Sequence, residues 1–236
     1  MLGQVRFPTD LRIADLQLLG AFQHAIRADW PNFEQEHQFT IVLGAQGVQQ
    51  AGSGGVFRFS AGDRSWSAVL TPESITLEAG IETAGYSSYE EFDQRFRSLW
   101  TALVEHFEPT AVLQQGLRYV NHIVREIPAE GWSELINPEL LGPAATLLSA
   151  NLVQALCDLR FERERDALVF KHGITTAGPE NHLGYLLDFD CFTQERCEDT
   201  EAEALAKRFT ESHDEIYAFF RWCVTEQALQ EFRGER

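Results

Sequence analysis

The 236-residue chain has only two lysines, Lys171 and Lys207, and its 19 basic residues are outnumbered by 36 acidic ones, a formal net charge of −17. Such a balance repels phosphate backbones and anionic lipid. It speaks against a nucleic-acid or membrane-surface binder and suits solubility or a basic partner. Cysteine is sparse as well: Cys157, Cys191, Cys197 and Cys223 include no Cys-x-x-Cys pair. Reduced, buried thiols are therefore expected. No run approaches the roughly 20 apolar residues of a membrane-spanning helix. Met1 to Asp10 lack the basic-then-apolar order of a secretion signal, so a cytoplasmic protein is expected.

Against these shortages stand regular apolar periodicities. Gln4 to Pro8 reads as a short strand ended by proline. Leu11, Leu16, Leu19, Phe22 and Ile26 predict a helix between Asp10 and Trp30, with Asp10 as its cap. Phe39 to Leu43 is strand-like. The Gly-, Gln- and Ser-rich run from Gly44 to Gly55 reads as a mobile loop. Within it, Gly52-Ser53-Gly54-Gly55 lacks the Gly-Lys-Ser/Thr ending of a phosphate-binding loop. Val56 to Phe59, Ser65 to Leu70 and Ser74 to Ala79, divided by turn residues, predict an antiparallel meander. A helix from Ser87 to Phe107 follows, with an apolar stripe that includes Phe92, Phe96, Leu99, Trp100, Leu103 and Phe107. Ser87 and Glu90 form its capping box.

The pattern then begins again. Ala111 to Glu126 is strand-like, Trp132 to Leu141 a short helix, and Leu148 to Phe161 a long strand. Ala167 to His172 and Leu183 to Phe192 are strands divided by the loop Thr176 to Asn181. A last helix runs from Glu201 to Phe232, opened by the capping box Thr200 and Glu203. Sliding the first long helix onto the second by 113 residues sets Phe92 on Leu205, Phe96 on Phe209, Leu103 on Ile216 and Phe107 on Phe220. The expected fold class is α+β, an internal duplication of β-α-β(3–4)-α units. Residues 1–109 and 110–236 are the two units, each a curved antiparallel sheet on a long C-terminal helix. Phe219, Phe220 and Trp222 put aromatic bulk on several sides of the last helix, which suits core between the halves, a homodimer or a partner interface.

Tyr86-Ser87-Ser88-Tyr89-Glu90-Glu91-Phe92 and Gly116-Leu117-Arg118-Tyr119-Val120-Asn121-His122-Ile123 resemble a sporadically distributed family of prokaryotic conserved hypothetical proteins, for which Leu-Arg-Tyr-Val-Asn is the most specific element. The resemblance extends to Val5-Arg6-Phe7-Pro8, Leu186 to Asp190 and His213 to Thr225. Family members often carry an arginine two residues before the glycine, where this chain has Gln114. The resemblance implies no reaction or cofactor. Its patchy distribution is similar to that of genes in defence or toxin–antitoxin loci.

Strand geometry puts Arg118 and His122 on one face of the central strand and Tyr119 and Asn121 on the other. Asp188 and Asp190 share a face of a later strand. Together these six residues are the candidate polar cluster. Either they line a ligand or acid–base site, or Arg118 and a carboxylate form a structural ion pair. Ser212-His213-Asp214 cannot act as a triad from consecutive helix positions. His172 with His182, and Cys191 with Cys197, match no zinc spacing. Neither a catalytic residue, a metal nor a cofactor is expected. The leading expectation is a non-catalytic interaction protein that binds another protein, for which the acidic surface would suit a basic one. The alternatives are a small-molecule binder or enzyme with a pocket between sheet and helix, and an acidic nucleic-acid mimic using Glu195 to Glu203.

Overall fold

The computed structural model describes residues 1–44, 47–79, 88–125, 129–142, 152–177 and 182–232. The fold is α+β, with a nine-stranded sheet ordered β2-β3-β4-β5-β1-β6-β9-β8-β7. Its strands are β1 (Leu2–Arg6), β2 (Asn32–Gly44), β3 (Gly47–Ser60), β4 (Trp66–Thr71), β5 (Ser74–Ala79), β6 (Gln114–Val124), β7 (Ala155–Glu162), β8 (Asp166–Ala177) and β9 (His182–Thr193). The helices are α1 (Leu16–Ile26), α2 (Tyr89–Phe107), α3 (Pro138–Leu141), α4 (Ala202–Cys223) and α5 (Glu226–Phe232). The chain divides into two compact units, residues 1–117 with 193–210 and residues 118–192 with 211–236.

In the first unit, β2 to β5 form an antiparallel meander, and β1 pairs antiparallel with β5, Val5 opposite Ile75. Asp10 caps a short 3-10 turn at Leu11–Ala14, and Asp15 caps α1, accepting from the amides of Gln17 and Leu18. The predicted helix is thus split. In α2, Phe92, Phe96, Leu99, Trp100, Leu103 and Phe107 are all buried. That burial stabilises the fold by on the order of 10 kcal/mol before ordering entropy is subtracted. Ser88 caps α2 by accepting from the amide of Glu91; the predicted cap, Ser87, lies outside the described residues. Phe92 and Phe96 meet Phe209 edge-on, with ring centroids 5.3 and 4.7 Å away.

Of the four thiols expected to be buried, Cys191 and Cys223 are, whereas Cys157 on the edge strand β7 is exposed and Cys197 half-buried. Two expected elements are corrected as well. Within the run Gly44–Gly55, read as a loop, Gly44 and Gly47–Gly55 belong to strands: β2 and β3 pair antiparallel from Asn32↔Ser60 to Gly44↔Gly47. Ladder hydrogen bonds join main chain to main chain, so a strand poor in apolar side chains can still pair when it extends an existing hairpin. The last helix is two. The amide of Thr225 donates to the Leu135 carbonyl and Val224 bridges Ile136, while the Thr225 hydroxyl accepts from the amide of Ala228 and caps α5.

The second unit packs Leu168, Phe170 and Ile174 of β8 and Tyr185, Leu187, Phe189 and Cys191 of β9 against Ile216 and Cys223 of α4, with Trp132 and Ile136 closing one end. Alternate residues of the same strands carry charge or exposure instead: Arg118 and Val120 on β6, Asp188 and Asp190 on β9, Lys171 on β8. Period-2 geometry thereby gives this part of the sheet an apolar face under α4 and a polar face turned away from it.

Candidate functional site

On the polar face of the second unit, the Arg118 guanidinium donates from Nε and Nη2 to the two carboxylate oxygens of Asp188, at 2.8 and 2.7 Å. The Asp188 side chain is 7% exposed and that of Arg118 43%. The pair is therefore a fork whose carboxylate is sealed into the sheet and whose cation looks out of it. Asp190, two residues along the same face, is half-buried. Burial pushes its carboxyl above the usual range, and the nearby charges of Arg118 and Lys171 pull it partly back. Lys171 is also paired with Asp158 of β7, at 3.4 Å.

His122 lies further along β6. Its two ring nitrogens are buried without a hydrogen bond among the described residues. A methyl group on Gly184 of β9 would lie 2.7 Å from the ring, so glycine is what lets the imidazole lie against the strand. Burial lowers the basicity of this histidine, against a smaller opposing pull from the Thr175 backbone.

The odd-numbered positions of β6 do other work. Tyr119 places its hydroxyl 2.9 Å from Nδ1 of His213 on α4. Asn121 donates to the Leu187 carbonyl at 3.4 Å. The six predicted residues therefore separate: Arg118, His122, Asp188 and Asp190 share the polar face, whereas Tyr119 and Asn121 are held on the other side of the strand. No single cavity can be lined by all four of the β6 residues. Sequence reading missed His213, Thr175, Gly184 and Lys171 as neighbours. The phase of Lys171 within β8 was the one available signal.

Three further titratable groups of this unit, His172, Tyr185 and Cys223, sit deep. Nδ1 of His172 is 3.0 Å from the Tyr185 hydroxyl, which itself donates to the Leu140 carbonyl. Burial lowers the His172 pKa and raises that of Tyr185. It pushes the Cys223 thiol up to about 12, which removes thiolate character at neutral pH. Among the described residues, no group of three His, Cys, Asp or Glu side chains is placed to hold a metal, and no helix is long and apolar enough to cross a membrane.

Among the described residues, two surface hollows lie in the first unit. One, of about 240 Å³, lies beside Phe7, Arg12, Phe107 and Glu108. There Arg12 bonds to Asp10 and to the Phe107 carbonyl at the C-terminal end of α2, as a cation at that end of a helix dipole should. The other, about 430 Å³ and wide open, is walled by Gly20, Gln23, His24, Arg27 and Pro31. No family model, curated protein or solved structure matches the chain.

Proposed function

We propose that the chain is a non-catalytic binding protein whose working surface is the polar sheet face around Arg118, and that its partner is another protein. The observation that carries this reading is the Arg118–Asp188 fork. It consumes both carboxylate oxygens in a structural bond yet leaves the cation accessible, next to Val120, which is 50% exposed. Interleaved apolar and charged groups on an open sheet suit a protein surface better than a small substrate, which is bound in a concave site. The net charge of −17 favours a basic partner. The family resemblance makes products of neighbouring genes the first candidates.

The architecture supports a finer reading, a duplicated β-α-β(3–4)-α unit. The opening strand of each series, β1 and β6, neighbours that series' last strand, β5 and β9, in the sheet order. Three of the four matched pairs, Phe92 and Leu205, Phe96 and Phe209, Leu103 and Ile216, are buried at both positions; in the fourth, Phe107 is buried and Phe220 half-buried.

The experiment is purification of the tagged chain from its native host, beside Val120→Arg as control. A stoichiometric protein retained by the native chain and lost with Val120→Arg is expected. Equal retention by both, or retention of nothing, contradicts the reading.

A further inference from the structure

Strand β7 is the last in the sheet order, paired with β8 on one side. Among the described residues no strand pairs with its other edge, and Leu156 to Glu162 are all exposed. Proteins blunt such an edge with proline, lysine, a bulge or a covering element. The sequence Ala-Leu-Cys-Asp-Leu-Arg-Phe-Glu has neither proline nor lysine, and its pairing to β8 runs without a register shift. On the α4 side, Leu159 and Phe161 are 37% and 41% exposed. Phe161 meets Phe219, which in turn meets Trp222, itself 45% exposed.

We propose that this edge pairs with the same edge of a second copy of the chain, antiparallel about a two-fold axis through Leu159. Charge complementarity selects that occupant and that register. With Leu159 opposite itself, each Asp158, already beside Lys171, faces the Arg160 of the other copy, already beside Glu162 of its own strand, so the dimer extends these exposed pairs across the seam twice, and Cys157 faces Phe161. Moving the axis by one residue sets Asp158 against Asp158 or Arg160 against Arg160. A half-step sets Asp158 against Leu159, which turns the polar face of one strand onto the apolar face of the other. Centring on Cys157 loses both Asp–Arg pairs, and centring on Phe161 sets Arg160 against Glu162 but Asp158 against Glu164, beyond the end of the strand. In the chosen register Phe161 and Trp222 of both copies lie on one side of a continuous sheet, which adds apolar area to the main-chain bonds. This goes beyond the binding face proposed above and uses a different surface.

Sedimentation velocity of the full chain tests it, with circular dichroism and melting curves to show that each variant folds. A concentration-dependent dimer is expected. Asp158→Arg and Arg160→Asp should each weaken it about tenfold or more, because each sets like charges opposite twice per dimer. The double exchange should restore association to within about threefold of the native chain. Leu159→Lys, which leaves Asp158 and Arg160 in place, should give monomer. A chain that stays monomeric at every concentration overturns the proposal, even if it still retains its partner protein. So does a dimer indifferent to the charge exchanges, or one that is held by a Cys157–Cys157 disulfide and lost on reduction.

Discussion

Asp188 is buried beneath Arg118 and has both oxygens engaged by it. Arg118→Ala therefore strands a carboxylate. Because the guanidinium is partly solvated, the cost should be about 2 kcal/mol rather than the larger figure for a sealed pair, lowering the melting temperature by about 4–8 °C. Calorimetry checks this; an unchanged melting temperature would show that the fork contributes nothing. Asp190 gives the opposite sign. Its carboxyl pKa is raised by burial, so its stabilising contribution is full below the unfolded value of about 4 and is lost as pH rises through the folded value. Asp190→Asn should accordingly raise the melting temperature at pH 7, with the gain fading towards pH 4. A lowered melting temperature at pH 7 would refute that sign. For His122 the folded pKa is lowered. Its contribution is present above about pH 6.5 and is lost as pH falls through the folded value. His122→Gln should flatten this acid limb of stability, and an unaltered limb would assign it to other groups such as His172.

At the scale of elements, the β7–β8 pair depends on one glycine. Gly173 has φ 137°, and a Cβ there would fall 1.9 Å from the Ala155 carbonyl oxygen. Gly173→Ala should cost about 3 kcal/mol and release β7 first. Hydrogen exchange should show lost protection in β7 and β8 with β4 and β5 unchanged; uniform loss would mean that the edge does not open independently. These elements also show what the sequence could reveal. β5 was legible from its own residues, Ser74–Ala79, because the apolar Ile75, Leu77 and Ala79 alternate with polar residues, the period of a strand with one face on a core. The same rule placed Arg118 and His122 opposite Tyr119 and Asn121. The β2–β3 hairpin was hidden, because backbone pairing holds Gly47–Gly55 and leaves no apolar pattern. The break before α5 depends on Leu135 and Ile136, some ninety residues away. Local periodicity carries no trace of such a partner, nor of His213 beside Tyr119.

At the scale of the whole molecule the governing quantity is charge. With 36 acidic and 19 basic residues, association with a basic partner should be steered by long-range attraction. It should slow as salt shortens the screening length from about 10 Å at 0.1 M to about 3 Å at 1 M. Stopped-flow rates across that range check this, and a salt-independent rate would remove charge from the account. The binding surface itself is tested most directly by calorimetric titration of the retained partner into the native chain and into Val120→Arg. Saturable binding to the native chain and a loss of at least tenfold in affinity for the variant are expected, at matching melting temperatures. Equal affinity for both would contradict the proposed surface.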